Sequence, residues 1–178
     1  MWGVAEDVTM TAAFRVLGID ASLRCTGLGV VEAQGSRLVM IDSGTVVTKA
    51  SERRSECLRR IGENVRAIIA RTAPTAAALE SGFFHRNAKT ADILGQVRGV
   101  VIAACADKGV PVFEYAPRRA KQAVVGYGAA EKEQVNKMLI KMLALTEAPQ
   151  EDIGDALAIA VCHLHNRTSL AALAPEPV

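Results

Sequence analysis

FRVLGIDASLRCTGLGVVEAQGSRLVMIDSGTVV, residues Phe14 to Val47, decides the fold. Phe14 to Asp20 is a short apolar run that ends in Gly18-Ile19-Asp20. Gly27 to Glu32 and Leu38 to Val47 are further runs rich in β-formers, with polar turns between them, Gln34-Gly35-Ser36 among them. Three such runs with short connections predict an antiparallel meander.

Beyond Ser51 the apolar period changes from two to that of a helix. Leu58, Ile61, Gly62, Val65, Ile68 and Ile69 form one stripe, and Pro74 follows its end. Ala76 to Glu80 reads as a short buried strand. Ala88 to Lys108 reads as a long helix with Ile93, Val97, Val100, Val101 and Ala104 inward. Val110 to Tyr115 is a fifth strand, and Pro117 suits the first turn of a helix running to about Val125. Gly126-Tyr127-Gly128 breaks it. Glu131 to Leu145 is amphipathic through Val135, Met138, Leu139 and Met142, and the last helix spans about Glu151 to His165. Strands first, then strand–helix alternation, imply a mixed five-stranded sheet covered by helices, a pattern that several α/β folds share.

The 178 residues fit one domain with a sizeable core; 50% are apolar and 22% charged, the balance of a globular protein. The expected organisation is an N-terminal extension over 1–13, disordered, a single globular domain over 14–166, and a short flexible tail over 167–178. No apolar run is long enough to span a bilayer, and residues 1–13 lack the pattern of a secretory signal, so a cytoplasmic location without membrane attachment is expected. Cys25, Cys57, Cys105 and Cys162 are scattered, which disfavours a zinc site. Basic residues cluster: Lys49 to Arg71 holds seven against three acidic, and Arg118 to Lys141 six against two. A polyphosphate partner requires such clustering, although a solvated helix face produces it too.

The last helix carries the chemistry. Ile153, Ala156, Leu157, Ala160, Val161 and Leu164 make its core stripe, and Asp152 and Asp155 fall off that stripe side by side. A first-turn aspartate is favoured by the helix dipole, which accounts for Asp152 but poorly for Asp155. Asp20 and Glu80 each end an apolar strand, where a charge is costly unless it is paired or binds a cation. Four carboxylates at the ends of buried elements can meet at one sheet edge, and the ion suited to them is magnesium, which takes oxygen ligands.

These residues resemble the RuvC family of Holliday junction resolvases, over nearly the whole chain. The blocks are Leu17-Gly18-Ile19-Asp20 with Arg24, Thr26-Gly27 and Gly29-Val30; Leu79-Glu80 with Phe83 and Asn87; Gly95-Gln96-Val97-Arg98-Gly99; Val112 to Pro117 with Lys121 to Gly126 and Ala130-Glu131-Lys132; and Asp152 to Ala160. One block alone is weak, whereas five in order are specific. The family has Pro-Gly where this chain has Ala21-Ser22. The resemblance implies a ribonuclease-H-like fold, a homodimer, and an endonuclease that nicks four-way DNA junctions symmetrically in recombination and repair, leaving 5′-phosphate and 3′-hydroxyl ends. It implies catalysis with two Mg2+ per subunit, replaceable by Mn2+, at Asp20, Glu80, Asp152 and Asp155. It also implies DNA contacts by Phe83, Asn87, Lys121 and Lys132, and a branch-migration motor of the RuvA and RuvB type as partner.

A two-fold symmetric junction cut twice needs two sites, so a dimer follows from one site per chain. Gly95, Gly99 and Ala103 offer a small-residue strip for that interface, or for tight packing on the chain's own sheet. Arg98 reads as structural, and His163 and His165, at a helix end, read as favourable C-terminal charge or as simply exposed, without chemistry. Rival readings are a ribonuclease-H-like nuclease acting on structured RNA, a non-catalytic junction-binding module, and an actin-like phosphotransferase, which needs two such domains.

Overall fold

The computed structural model describes residues 13–81, 87–167 and 176–178. The expectations for the N-terminal extension, for Phe83 and for most of the C-terminal tail fall outside them. The elements are β1 (Phe14–Asp20), β2 (Cys25–Gln34), β3 (Arg37–Val47), α1 (Arg54–Thr72), β4 (Ala76–Glu80), α2 (Ala88–Ala106), β5 (Val112–Tyr115), α3 (Pro117–Val125), α4 (Lys132–Met142) and α5 (Glu151–Arg167). One five-stranded sheet has the order β3-β2-β1-β4-β5. The meander β1-β2-β3 is antiparallel, turning at Gly35 in the left-handed region (φ 61°), whereas β1-β4 and β4-β5 are parallel. The expected mixed α/β sheet of the ribonuclease-H type is therefore present.

The sheet separates two apolar layers. Leu17, Ile19, Leu28, Val30, Ala77, Leu79 and Val112 pack with α1 and α2, while Val16, Val31, Ala78 and Tyr115 pack with α3, α4 and α5. Successive strand residues face opposite sides. Even-numbered positions of β1 and β4 and odd-numbered positions of β2 therefore share the α5 face, and with them go Asp20, Glu80 and Cys25.

Helix α5 lies against the backbone of that face because glycines leave room for it. A Cβ on Gly18 would sit 1.9 Å from the Ala156 carbonyl oxygen, and one on Gly27 would sit 2.0 Å from the Asp152 carbonyl oxygen. No side chain fits at those separations, so the two glycines set the height of the helix above the sheet.

Several expectations are corrected. Strand β5 starts at Val112 rather than Val110, because Gly109 turns the chain at φ 66° and Pro111 precedes the strand. Helix α4 stops at Met142 rather than Leu145, since Ala144 adopts φ 50°, and Met138 is 37% exposed instead of inward. Val100 is only half-buried. His163 is not exposed: it lies at 5%, with Nδ1 2.8 Å from the Tyr115 hydroxyl and its ring 4.5 Å from that of Phe113. An apolar sheet face covers the end of α5, which a helix pattern alone does not disclose. His165 is exposed as expected. The basic run on α1 is largely neutralised, by Arg59 with Glu56 and Glu63, Arg60 with Glu52, Arg66 with Asp107, and Arg71 with Asp42. Gly95, Gly99 and Ala103 are exposed, and a Cβ on either glycine would meet nothing within 4 Å, so the strip does not pack on its own sheet.

Candidate active site

Asp20 stands where β1 ends, Glu80 where β4 ends, and Asp152 and Asp155 in the first turns of α5. The parallel register of β1 and β4, closing at Ile19 opposite Leu79, sets Asp20 and Glu80 side by side at one edge of the sheet. Gly27, opposite Asp20 in the β1-β2 ladder, receives the Asp152 backbone directly.

The electrostatics record the convergence. Burial, then the charges of Asp155, Glu80 and Asp152, push the Asp20 carboxyl up from 3.8 to about 7, with only Lys132 opposing. Glu80 is also raised, by burial first and then by Asp155, with Lys132 and Arg98 opposing. Like charges this close in a partly dry site disfavour full ionisation. At neutral pH the cluster therefore carries negative charge that the chain itself compensates only in part.

Two neighbours occupy carboxylate oxygens. The Lys132 ammonium donates to Asp155 at 3.0 Å and also pairs with Glu151. Glu151 chiefly, followed by Asp155, holds the Lys132 ammonium in its charged form. The Cys25 thiol donates to Asp152 Oδ2 at 3.0 Å, and burial first, then that bond, raise it to about 11. Among the described residues no three His, Cys, Asp or Glu side chains already enclose one point as a ligand cage. The donor set nevertheless fits a hard divalent cation: all four groups are carboxylates, and burial together with the neighbouring acids raises Asp20 to about 7, so that it is only partly ionised at neutral pH. Among the described residues the cluster lacks the several thiolates or imidazoles that zinc favours, Cys25 being a protonated thiol bound to Asp152.

The turn after Asp20 is built without the family's Pro-Gly. The Ser22 hydroxyl donates to the Cys25 carbonyl at 2.8 Å, and the Thr26 hydroxyl donates to the Ser22 carbonyl at 2.6 Å. Of the expected DNA contacts, Lys132 borders the acids. Lys121 sits on α3 and donates to the Ala130 carbonyl at 2.7 Å, across the break before α4. Asn87 caps α2 by accepting from the backbone N–H groups of Lys89 and Thr90. The residues that sequence reasoning missed are Cys25, Glu151 and the close-approach glycines. The period of β2 places Cys25 and Gly27 on the α5 face, so that signal was available; the Glu151 pairing had none.

The family model for crossover junction endodeoxyribonuclease RuvC matches residues 16–163. A relative of that name from Trichlorobacter lovleyi is 48% identical over 152 residues, covering 85% of each chain, and one from Pelobacter propionicus is 47% identical over 163 residues, covering 89% of this chain and 93% of the relative. Among solved structures, T. thermophilus RuvC in complex with a Holliday junction substrate superposes with TM-score 0.85 at 35% identity, covering 93% of this chain and 99% of that one. The yeast mitochondrial Holliday junction resolvase, at 12% identity and TM-score 0.58 over 84% of this chain and 78% of its own, shares the fold. The protein belongs to the RuvC family of crossover junction endodeoxyribonucleases.

Proposed function

We propose that this protein cuts four-way DNA junctions by paired, symmetric nicks, hydrolysing phosphodiesters with magnesium at Asp20, Glu80, Asp152 and Asp155. The observation that carries the assignment is the convergence of these carboxylates, with Asp20 held at about 7. Junction DNA fits better than structured RNA as substrate, given the strong likeness to a relative solved with a Holliday junction. A non-catalytic junction binder gains nothing from acids clustered where phosphates must approach.

Two magnesium ions held by these carboxylates would supply Lewis-acid charge to the attacking and the leaving oxygen of a phosphodiester displacement, and manganese could replace them. Asp20 and Glu80, on strand ends, hold their oxygens rigidly, while Asp152 and Asp155 bring theirs on one helix face. Asp20 must shed its proton to become a ligand, which ties assembly of the site to pH near neutral. Lys132 donates to Asp155 Oδ2, so its ammonium stands beside the acids, where it would offset charge on an approaching phosphate. The ends left are a 5′-phosphate and a 3′-hydroxyl.

Lys121, Asn87 and Phe83 are proposed as further DNA contacts, Phe83 by stacking near the junction centre. The reaction unit is residues 14–166. A homodimer supplies the second nick, with the exposed Gly95, Gly99 and Ala103 strip of α2 as its candidate interface. The protein works in the cytoplasm, consistent with no helix of the described residues being long and apolar enough to cross a membrane. A branch-migration motor of the RuvA and RuvB type delivers its junction. A synthetic mobile junction tests the core proposal: Mg2+ should give paired nicks, Ca2+ or chelator binding without cutting, and excess structured RNA little competition. Equal cutting in chelator would sink it.

A further inference from the structure

Glu80 is held from beneath. Its side chain belongs to the α5 face of the sheet, whereas Glu114, one position before Tyr115 on β5, belongs to the opposite face, toward α2. Arg98 of α2 reaches up between them. Its guanidinium donates from one nitrogen to the Glu80 backbone carbonyl and from another to the Glu114 carboxylate. The β1-β4 register stops at Ile19 and Leu79, one residue short of Glu80, so Arg98 secures a carbonyl beyond the last pair of that ladder. On the other side the Ser81 N–H donates to the Tyr115 carbonyl at 2.8 Å. The peptide that follows Glu80 is thus pinned from both ends.

The side chains of Arg98 and Glu114 are only 19% and 26% exposed. A planar guanidinium with several donors in fixed directions grips two acceptors at once, which an ammonium on a flexible stem does poorly. Breaking the pair leaves a charge stranded in a partly dry place.

We propose that Arg98, locked by Glu114, is the positioning residue that sets the aim of the Glu80 carboxylate, acting through the Glu80 backbone from the far side of the sheet and touching neither DNA nor metal. This rests on Glu80 being a metal ligand. Groups that orient ligands typically contribute 10–100-fold in metal affinity.

The test is Mn2+ binding to the full-length, DNA-free protein, followed by the EPR signal of free Mn2+, for wild type, Arg98→Met, Arg98→Lys, Glu114→Gln and Glu80→Gln. Arg98→Met should bind Mn2+ about 10–100-fold more weakly, Arg98→Lys less so, and junction cutting should recover as Mn2+ is raised. Arg98→Met combined with Glu114→Gln should be no worse than the poorer single variant, because both remove one grip. Should Arg98→Met not fold, Arg98→Lys and Glu114→Gln carry the same comparison. Wild-type Mn2+ affinity in the folded Arg98 and Glu114 variants, with affinity lost in Glu80→Gln, overturns the positioning role alone. Wild-type affinity in Glu80→Gln as well overturns the ligand assignment beneath it.

Discussion

Replacing Asp20 with Asn should make the metal-free protein more stable at pH 8, while on the proposed mechanism it should abolish DNA cutting. In the folded chain the Asp20 carboxyl titrates at about 7 instead of 3.8. Its folded-state value is raised, so the native state binds the extra proton, and the stability of the parent falls as pH climbs from about 4 to about 7. Above that window the penalty is fully present, about 4 kcal/mol as an upper bound. Solvent at the rim of the site reduces this to roughly 2–3 kcal/mol. Asn removes the charge while keeping the shape, so at pH 8 in chelator its Tm should rise by roughly 5–10 °C for a domain of this size. Below pH 4 both states of the parent are protonated there and the advantage should vanish. Added Mg2+ stabilises the parent by binding its native state and should narrow the gap, with a smaller effect on the variant. Thermal melts of both proteins from pH 4 to 8, with chelator and then with Mg2+, make the measurement. A variant no more stable than the parent at pH 8 in chelator would mean that the carboxylates do not press on one another, and the reading of the cluster would fall with it.

Gly27→Ala places a Cβ against the Asp152 carbonyl oxygen and should cost about 3 kcal/mol or more as α5 lifts, with Mn2+ binding weakened in whatever remains folded; chemical denaturation and metal titration read both effects. Tyr115→Phe removes the buried hydrogen bond to His163 and should lower stability by about 1–2 kcal/mol while leaving the metal response intact, as urea unfolding with and without Mg2+ can show. Ala73→Gly should raise stability by several tenths to about 1 kcal/mol, because Ala73 closes α1 at φ 45°, and an unchanged or lower urea midpoint would refute the strain at that position. Glu151→Gln loosens Lys132 from its first partner and should leave cutting intact at saturating Mg2+ with a shifted half-saturating concentration, read from initial rates on a synthetic junction.

The helices were legible from their apolar stripes, and the central strands from short continuous apolar runs buried on both faces. The β4 limits, Ala76 to Glu80, follow from an apolar run closed by a charge, and the α3 limits, Pro117 to Val125, from the proline that opens the helix and the glycine that ends it. Misreadings gathered where a local pattern meets a tertiary decision. Val110 is apolar enough for a strand, yet Gly109 and Pro111 turn the chain there. Met138 keeps helical spacing but projects past the edge of its layer. His163 looked like a polar helix end, and only the packing of Phe113 and Tyr115 above α5 buries it. The basic run of α1 left phosphate contact and a solvated helix face both open, and its ion pairs with Asp42 and Asp107 involve acids distant along the chain.

The sequence by itself singled out four candidate carboxylates, because a charge that ends a buried strand or flanks a core stripe is conspicuous without coordinates. It also carried the family resemblance and the two periods that sort each strand's residues onto opposite faces. Only the tertiary structure decided how closely those acids meet, through a helix lowered onto Gly18 and Gly27 to within backbone contact. It alone supplied the partners that occupy or brace them: Cys25 on Asp152, Lys132 on Asp155, and Arg98 beneath Glu80. The reason is physical: periodicity encodes which way a side chain faces, but the distance between two charges on separate elements is set by how the whole chain packs.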